Sequence, residues 1–480
     1  MASASLPKKS SARYVAASAI AEAAHHFPDV DPQSMDGASL DAREGRLALA
    51  IHRTVLQRWL TIEFLLNGYL RKPLHTMEPS LQGVLLTAGA QLLFMDRLPA
   101  HAVVDEAVKL ARGMVRVGAA GLVNAVLRRI SELTDSAVRG KLWMPATDRL
   151  PLEDGFVPLR DHCLPAFEPW SESSKPHELH DLEKHLSIAT SHPLQVIRRW
   201  LKDYGPTKTV ELAAMGLRMP PIVVAVEEGF SGEPLVEGEE SPRWSNHEQP
   251  GFIVWEGGHA QLTPFLREHP ARRVQDVTAT HAVNATAALK PTLILDYCAG
   301  RGTKTRHLAA MHPEARIIAT DTDDDRRGVL HGAFAHEMRV EVVNIHEVGN
   351  TIAKTKLNDG EGDAIVVATG VDLLLLDVPC TNTGVLARRP EARYRFNEGT
   401  LKSLVKLQKQ IIDKSLPFLI PGGHVLYSTC SIDSSENQAQ VQAMIEKHGC
   451  ELIQETMTLP QGIGAAYRDG GYVALLRKPV

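Results

Sequence analysis

Two cysteines stand in polar loops directly after apolar runs, where a thiol can act as a nucleophile. Cys380 ends the run Leu-Leu-Leu-Leu-Asp-Val-Pro-Cys, and Cys430 follows Val-Leu-Tyr-Ser-Thr. Short apolar runs bounded by turn residues predict buried strands of a parallel sheet, and ligands bind beyond the carboxyl ends of such strands. We therefore expect the two cysteines side by side at one sheet edge. Two buried, inert thiols are the alternative, but Asp377 and Pro379 beside Cys380 favour a site.

The residue types around these cysteines suit methylation of cytosine at C5. This carbon is a poor nucleophile, and a thiolate that adds at C6 turns C5 into an enamine carbon able to attack a methyl group. A base must then remove the C5 proton so that the thiol can leave. Asp377, Cys380 and Cys430 supply an acid for the base's N3/N4 edge, a helper for release and a nucleophile. The Asp-Val-Pro-Cys loop also differs from the Asn/Asp-Pro-Pro-Tyr loop expected of enzymes that methylate exocyclic amines.

A third motif indicates a nucleoside cofactor. The predicted strand ending at Asp296 runs into Tyr-Cys-Ala-Gly-Arg-Gly-Thr-Lys, whose small residues let a ligand approach the backbone. Asp321 ends the next predicted strand, where an acid typically holds ribose hydroxyls. Neither a Walker phosphate loop nor the full dinucleotide glycine fingerprint is present. S-adenosylmethionine therefore fits this region better than a hydride-transfer cofactor.

Composition limits the other classes of function. The chain has 480 residues, a net charge of −5 and five cysteines without a C-x-x-C spacing. This pattern argues against a disulfide framework and a zinc site and is typical of a reducing cytosol. No apolar run reaches the ~18 residues of a membrane span, and the first residues do not form a secretory signal. We expect a cytoplasmic monomer without metal or membrane, in which nucleic-acid binding needs a local basic face.

The pattern along the chain predicts several domains. Residues 8–135 have helical spacing and few strand-like residues, which predicts an all-α bundle. Residues 136–187 are rich in Pro, Ser and charged residues and are predicted to be a linker or insertion. Residues 188–290 predict a small α+β region. In residues 291–480 strands alternate with helices, which predicts a Rossmann-like α/β domain with a doubly wound, mostly parallel sheet.

The helical region is mildly basic, and two interpretations of its charges stay open. The cations form either a surface that faces RNA or an ordinary solvated surface. They are Arg53, Arg58, Arg71, Lys72, Arg112, Arg116, Arg128 and Arg129.

The two cysteine loops together resemble a known family. Asp-x-Pro-Cys-x-x-Thr-Gly (377–384) with Ser-Thr-Cys-Ser-x-x-x-x-Glu-Asn (428–437) closely resembles the Nop/Sun RNA 5-methylcytosine methyltransferases. The chain is similar in particular to the bacterial Sun/Fmu branch, which modifies 16S ribosomal RNA and carries a NusB-like helical RNA-binding domain before the catalytic domain. Residues 98–129 look like the last two helices of that domain. The resemblance covers most of the chain except about 133–185.

The resemblance implies a role for each site residue. Cys430 would attack C6, Cys380 would assist product release, and Asp377 would lie between cofactor and cytosine. Asp321 would bind the cofactor ribose, and spacing along the third strand suggests Asn344 near the adenine. The segment around the methionine end of the cofactor would comprise Cys298, Ala299, Gly300, Arg301, Gly302, Thr303 and Lys304.

The cofactor segment departs from the family pattern at two positions, since Arg301 replaces a proline and Thr303 a glycine. A rigid turn is thereby lost and a cation is added beside the cofactor. The function expected from the sequence is S-adenosylmethionine-dependent methylation of cytosine C5 in ribosomal RNA. Two alternatives stay open: methylation of tRNA at the same atom, and a catalytically weak RNA-binding or ribosome-assembly factor that keeps the fold.

Overall fold

The described residues fold into two compact units. The computed structural model describes residues 11–30, 35, 40–95, 98–230, 244–269, 271–358 and 365–480. Unit 1 comprises Met1–Met219 and Leu386–Glu398, and unit 2 comprises Pro220–Val385 and Gly399–Val480. The start of the predicted domain 8–135, at residues 8–10, lies outside the described residues. Parts of the predicted ranges 188–290 and 291–480 lie outside them too.

Unit 1 begins with the helical region that the sequence predicts. Asp41 caps the second helix, where its carboxylate accepts hydrogen bonds from the backbone N–H groups of Arg43 and Glu44. Gly83 lets the third helix approach the first, because a Cβ atom there would lie 2.4 Å from the carbonyl oxygen of Ala17. The helices are α1 (Ala12–His26), α2 (Ala42–Asn67), α3 (Pro79–Phe94), α4 (Ala100–Leu110) and α5 (Ala119–Leu133).

Unit 1 continues with a small antiparallel sheet inside the range 136–187, which the sequence predicts as a linker. Burial alternates along the third strand, where Gly155 and Val157 are buried and Phe156 and Pro158 are more exposed, and Leu150 of the second strand is fully buried. A kink at Gly205, whose φ is +75°, divides the second of the two following helices. These elements are β1 (Val138–Arg139), β2 (Arg149–Leu152), β3 (Gly155–Pro158), α6 (His180–Ala189) and α7 (Leu194–Met215).

Unit 2 opens with a four-stranded sheet in the order β5-β6-β4-β7. The sequence predicts β4 and β6, whose apolar residues pack around Trp244 and Phe265. The strands β5 and β7 are too short for an apolar pattern to stand out. The elements are β4 (Ile222–Ala225), β5 (Trp244–Asn246), β6 (Phe252–Trp255), α8 (His259–Arg267), β7 (Arg273–Val274) and α9 (Val277–Asn284).

The predicted Rossmann-like α/β fold is confirmed in unit 2. Its seven-stranded sheet has the order β10-β9-β8-β13-β14-β16-β15, with β16 antiparallel to both of its neighbours and parallel pairing elsewhere. The strands are β8 (Leu293–Asp296), β9 (Arg316–Ala319), β10 (Val340–Val342), β13 (Val371–Asp377), β14 (Leu419–Thr429), β15 (Glu451–Thr458) and β16 (Gly471–Arg477). A separate antiparallel pair consists of β11 (Lys356–Asn358) and β12 (Ile365–Val367).

Helices cover this sheet and complete its core. They are α10 (Thr303–Met311), α11 (Asp324–Phe334), α12 (Val348–Lys354), α14 (Glu398–Ser415) and α15 (Gln438–His448). The short helix α13 (Ala392–Arg395) belongs to unit 1. The four leucines of β13 are fully buried, as expected for a central strand covered on both faces. In the described part of the chain, no helix is long and apolar enough to cross a membrane.

Candidate active site

The two loop cysteines lie next to each other beyond the carboxyl ends of adjacent parallel strands. Asp377 at the end of β13 pairs in register with Ser428 near the end of β14. Each strand then passes into its loop, and the Sγ atoms of Cys380 and Cys430 are 3.2 Å apart. The predicted neighbourhood of the two thiols is therefore confirmed.

Backbone contacts hold the two loops together. The N–H of Gly384 donates to the carbonyl oxygen of Cys430 at 3.0 Å. This approach requires a glycine, because a Cβ atom at Gly384 would lie 2.8 Å from that oxygen and 2.6 Å from the carbonyl carbon of Gly470. The relative position of the two cysteines is thus set by main-chain packing as well as by the sheet.

Asn382 contacts the Cys430 thiol directly. It adopts a left-handed backbone conformation with φ of +61°, which asparagine tolerates better than most residues. Its Oδ1 accepts a hydrogen bond from the Cys430 thiol at 3.1 Å, and its Nδ2 donates one to the carbonyl oxygen of Cys380 at 2.9 Å. Asn382 therefore fixes the direction of the Cys430 sulfur.

A buried carboxylate, Glu436, ties the Cys380 loop to its surroundings. Its Oε1 accepts from the N–H of Thr381 at 2.9 Å and from Nε2 of Gln408 at 3.0 Å, and its Oε2 accepts from the Thr381 hydroxyl. The same hydroxyl lies 3.2 Å from Oγ of Ser431, the residue after Cys430. Burial raises the pKa of Glu436. This network connects both cysteine loops below the thiols.

Lys304 brings a positive charge to the pair of thiols. Its Nζ lies 2.6 Å from Oδ2 of Asp377. Burial alone would lower the pKa of Lys304, but Asp377 and Cys430 outweigh burial and the pKa is raised. Lys304 therefore stays cationic, and it lines the same cavity as Cys430.

The pKa of Cys380 indicates that its thiol is protonated in the resting protein. The hydrogen bond to Cys430, followed by burial, raises the pKa of Cys380 well above its usual value. Burial also raises the pKa of Cys298, Cys163 and Cys450. These four thiols are protonated at neutral pH, so none of them is a resting nucleophile.

The predicted cofactor segment forms the turn between β8 and α10. The N–H of Gly300 donates to Oδ2 of Asp321 at 2.9 Å, so the turn and the end of β9 are joined. Gly302 has φ of +85°, and a Cβ atom there would lie 2.6 Å from the Phe334 ring. Cys298 and Ala299 lead into this turn, and the N–H of Ala299 donates to the carbonyl oxygen of Thr320.

The two residues that depart from the family pattern lie on the surface. Arg301 and Thr303 are both exposed. Arg301 has no ion-pair partner among the described residues. The added cation is therefore free to meet solvent or a ligand.

Asp296 carries a buried atom that is suited to a cationic ligand. The residue is fully buried, and its Oδ2 accepts from the Thr305 hydroxyl at 2.7 Å. Its Oδ1 is buried and has no hydrogen-bond partner among the described residues. Burial raises the pKa of Asp296 to about 7. An unpartnered buried carboxylate oxygen next to the predicted cofactor turn fits the ammonium group of a bound S-adenosylmethionine.

Asn344 lies at a second cavity, on the far side of Asp321 along the sheet edge. Its Oδ1 accepts from the N–H of His346 and caps a short helical turn. The cavity has a volume of about 610 Å³ and is also lined by Tyr297, Thr322 and Asp324. Asn344 is therefore placed where a nucleoside could lie, although Asp321 itself does not line this cavity.

A smaller cavity of about 70 Å³ reaches Cys430 from the other side. Lys304 and Cys430 line it together with Asp276 and Asp469. Oδ1 of Asp276, the N-cap of α9, accepts from the N–H of Asp469 at 3.1 Å, so the loop before β16 is joined to the start of α9. The cavity therefore lies between this contact and the Cys430 loop.

The structure adds residues to the site that the sequence pattern did not assign a role. Asn382 and Glu436 lie inside the quoted motifs, so their spacing from the cysteines was the available signal. Asp296 was recognised only as a strand end. The signal for its role is its burial and its free Oδ1, which a sequence does not contain.

Comparisons with known proteins follow the same division of the chain. Residues 283–474 match the family model for the 16S rRNA methyltransferase RsmB/F, and residues 10–132 match the NusB family. The ribosomal RNA small subunit methyltransferase B of Erwinia tasmaniensis is 26% identical over 440 residues, which cover 88% of each chain. The protein of the same name from Xanthomonas campestris is 26% identical over 411 residues, covering 85% of this chain and 80% of its own.

A solved structure shows the same fold. The crystal structure of PH0851 matches with a TM-score of 0.64 and 19% identity, and the match covers 99% of both chains. At this identity the likeness concerns the fold alone. The region of residues 283–474 therefore matches the 16S rRNA methyltransferase RsmB/F family and the preceding region the NusB family, and the chain is an RNA methyltransferase.

Proposed function

We propose that this chain methylates C5 of a cytosine in 16S ribosomal RNA, through a covalent bond between the Cys430 sulfur and C6 of the base. The observation that carries the proposal is the pair of thiols 3.2 Å apart, with the Lys304–Asp377 ion pair beside them. RNA binding alone needs neither thiol, so this arrangement favours catalysis over a binding factor. The names of the matched relatives agree with an rRNA substrate.

S-adenosylmethionine fits as the methyl donor, and when bound it supplies an electrophilic methyl group. Asp296 would meet its ammonium group, and the turn from Cys298 to Lys304 would enclose its methionine end. Asp321 and Asn344 would hold the nucleoside part. The acids Asp296 and Asp377 also favour a cationic cofactor by their charge.

In the first step the Cys430 thiolate forms a bond to C6, and the electron pair of the C5–C6 double bond moves toward C5 and the ring. Lys304 places a positive charge beside the attacking sulfur. Asp377 would hold the N3/N4 edge of the base, where a hydrogen bond stabilises the electron-rich ring. Cys380 does not act as the attacking nucleophile, because its raised pKa keeps its thiol neutral.

The adduct changes the state of Cys380. The largest cause of its raised pKa is the hydrogen bond to Cys430. In the adduct the Cys430 sulfur is a thioether, which carries neither a negative charge nor a proton that it could donate. Attack removes this largest cause of the raised pKa, and we assign Cys380 as the group that takes the C5 proton. By then C5 would have used the electron pair from the first step to bond the methyl group that S-adenosylmethionine supplies, and the donor would have left as a neutral thioether. When the proton leaves the methylated C5, its C–H electron pair restores the C5–C6 double bond, and the C6–S bond breaks to regenerate the Cys430 thiolate.

The reaction and its substrate are tested by methyl transfer in vitro. The full chain is incubated with labelled S-adenosylmethionine and either 16S rRNA or tRNA from a strain that lacks the gene, and the nucleosides are identified by mass spectrometry. We expect label in 5-methylcytidine of 16S rRNA. Label only in tRNA would support the alternative substrate. No label, together with no calorimetric binding of S-adenosylmethionine, would favour an RNA-binding or assembly factor.

We further propose that the protein acts as a monomer in the cytoplasm. Free cysteines at the site agree with a reducing compartment. Among the described residues, no group of three or more His, Cys, Asp or Glu side chains could hold a metal ion.

A further inference from the structure

An exposed surface on unit 1 combines an aromatic ring, aliphatic side chains and cations. Its residues are Tyr69, Arg71, Lys72, Leu122, Val126 and Arg129, which line a cavity of about 590 Å³. Tyr69 is 39% exposed and Leu122 is 38% exposed, which places both among the exposed large hydrophobic residues. We refer to these six residues as the Tyr69 surface.

One side of the Tyr69 surface is the loop that follows α2. The loop is held at its two ends, because the N–H of Leu74 donates to Oδ1 of Asn67 at 2.8 Å and the Leu74 side chain is buried. Tyr69, Arg71 and Lys72 lie between these two anchors and point away from the core. The crest of the loop is therefore presented in a fixed position.

The other side of the Tyr69 surface is one face of α5. Leu122, Val126 and Arg129 are spaced by four and three residues, so they follow one another along the same face of the helix. Val126 is buried and supports the floor, whereas Arg129 is exposed at the rim. Arg129 has only a loose partner, since Glu132 is 3.9 Å away and both side chains are well exposed.

Several cations elsewhere on unit 1 are engaged in ion pairs. Lys109 pairs with Asp105 and Glu106, and Arg116 pairs with Glu78. In contrast, neither Arg71 nor Lys72 has an ion-pair partner within the part of the chain that the structure describes. Unpaired cations around an apolar cavity attract an anion that also carries an apolar face.

A strand of RNA has both properties. Its bases stack on aromatic side chains, and its phosphates interact with arginine and lysine. An acidic peptide would satisfy the cations but leave the exposed Tyr69 ring and Leu122 without a planar partner.

We propose that the Tyr69 surface binds a single-stranded segment of the RNA substrate, with a base on Tyr69 and Leu122 and the adjoining phosphates on Arg71, Lys72 and Arg129. This inference rests on the proposed function for the identity of the substrate and extends it to a second RNA contact, on unit 1. It also selects between the two interpretations of the basic helical region. The RNA-facing cations are those of the Tyr69 surface, and the paired ones are ordinary surface charges.

The proposal is tested by fluorescence anisotropy with a labelled single-stranded RNA of twelve nucleotides and the full-length protein, without methyl donor. Tyr69→Ala is expected to weaken binding by about 5- to 100-fold through lost stacking, whereas Tyr69→Phe, which keeps the ring, should bind like the wild type. Arg71→Ala and Lys72→Ala should each reduce the slope of log affinity against log salt by about 0.7. Arg112→Ala is the matched control, because Arg112 is exposed on unit 1 but does not line the cavity.

Wild-type affinity in Tyr69→Ala with an unchanged salt slope in both cation variants would overturn the proposal. Displacement of the RNA by poly-glutamate at equal charge concentration would also overturn it, because stacking would then contribute nothing. Since no methyl transfer is measured, the result stands independently of the proposed chemistry. An unchanged far-ultraviolet circular dichroism spectrum and an unchanged melting temperature of each variant confirm that unit 1 is folded.

Discussion

The network around Glu436 leads to a quantitative prediction about the geometry of the two thiols. In Glu436→Ala, the N–H of Thr381 and the side-chain N–H of Gln408 lose their shared acceptor in a buried place. An unsatisfied buried donor costs about 1–3 kcal/mol, so the two together cost about 2–6 kcal/mol. The Thr381 hydroxyl can still turn to Ser431. The strain therefore falls on the loop that carries Cys380.

If about half of this free energy displaces the Cys380 loop, kcat for methyl transfer falls by about 5- to 150-fold, since each 1.4 kcal/mol is a factor of ten. Glu436→Gln keeps an oxygen acceptor, and kcat should stay within about threefold of the wild type. Glu446→Ala, which removes an exposed glutamate of α15, is the control. The assay is steady-state transfer at saturating RNA and S-adenosylmethionine, together with the rate at which dibromobimane bridges the Cys380 and Cys430 thiols.

The raised pKa of Glu436 predicts how the stability of the Glu436→Gln variant, relative to the wild type, changes with pH. Burial raises the pKa of Glu436, so the folded state favours the protonated carboxyl. Its stabilising contribution is fully present below the unfolded pKa and is lost as pH rises through the folded pKa. Glu436→Gln cannot ionise, so its stability relative to the wild type should improve as pH rises. The role of Glu436 in holding the Cys380 loop would be refuted if the Glu436→Ala variant had the same rate of dibromobimane bridging and the same kcat as the wild type.

Three further variants test separate parts of the site. Lys304→Met should slow iodoacetamide alkylation of Cys430, because the positive charge beside the attacking sulfur is lost. Lys304→Arg should keep the wild-type rate, and equal rates in both variants would contradict the role of the charge. Burial raises the pKa of Asp296 to about 7. As the pH is increased toward 7, the calorimetric affinity for S-adenosylmethionine should therefore rise by up to about tenfold per pH unit, and above pH 7 it should level off. Asp296→Asn should remove that dependence, and a dependence that persists would exclude Asp296 as its source. Gly302→Ala should lower the melting temperature and weaken cofactor binding, because the new Cβ atom would meet the Phe334 ring. Gly300→Ala should have the smaller effect, because a Cβ atom there meets no atom within 4 Å. A larger effect of Gly300→Ala would contradict the packing.

The sheet and the meeting of the two cysteines were predictable because they follow from local patterns. The leucines before Asp377 and the apolar run before Cys430 predict adjacent buried strands. Neighbouring parallel strands bring their carboxyl ends together, so the loops had to meet. The structure adds the distance of 3.2 Å between the thiols.

The supporting contacts were not predictable, because they join residues that are far apart along the chain. Lys304 and Asp377 are separated by 73 positions and meet only because β8 and β13 pair. Glu436 reaches Thr381 across 55 positions. The short strands of residues 136–187 were missed for another reason, since polar and proline-rich segments with few apolar residues show little periodicity.

The covalent adduct tests the central claim most directly. The Cys380→Ala variant is incubated with S-adenosylmethionine and 16S rRNA, digested with nuclease and protease, and analysed by mass spectrometry. We expect a methylated cytidine nucleotide attached to Cys430, because the base that releases the product is missing. The Cys380→Ala, Cys430→Ala double variant should give no adduct. An adduct on another cysteine, or none in Cys380→Ala while the wild type methylates the same RNA, would contradict the division of roles between the two thiols.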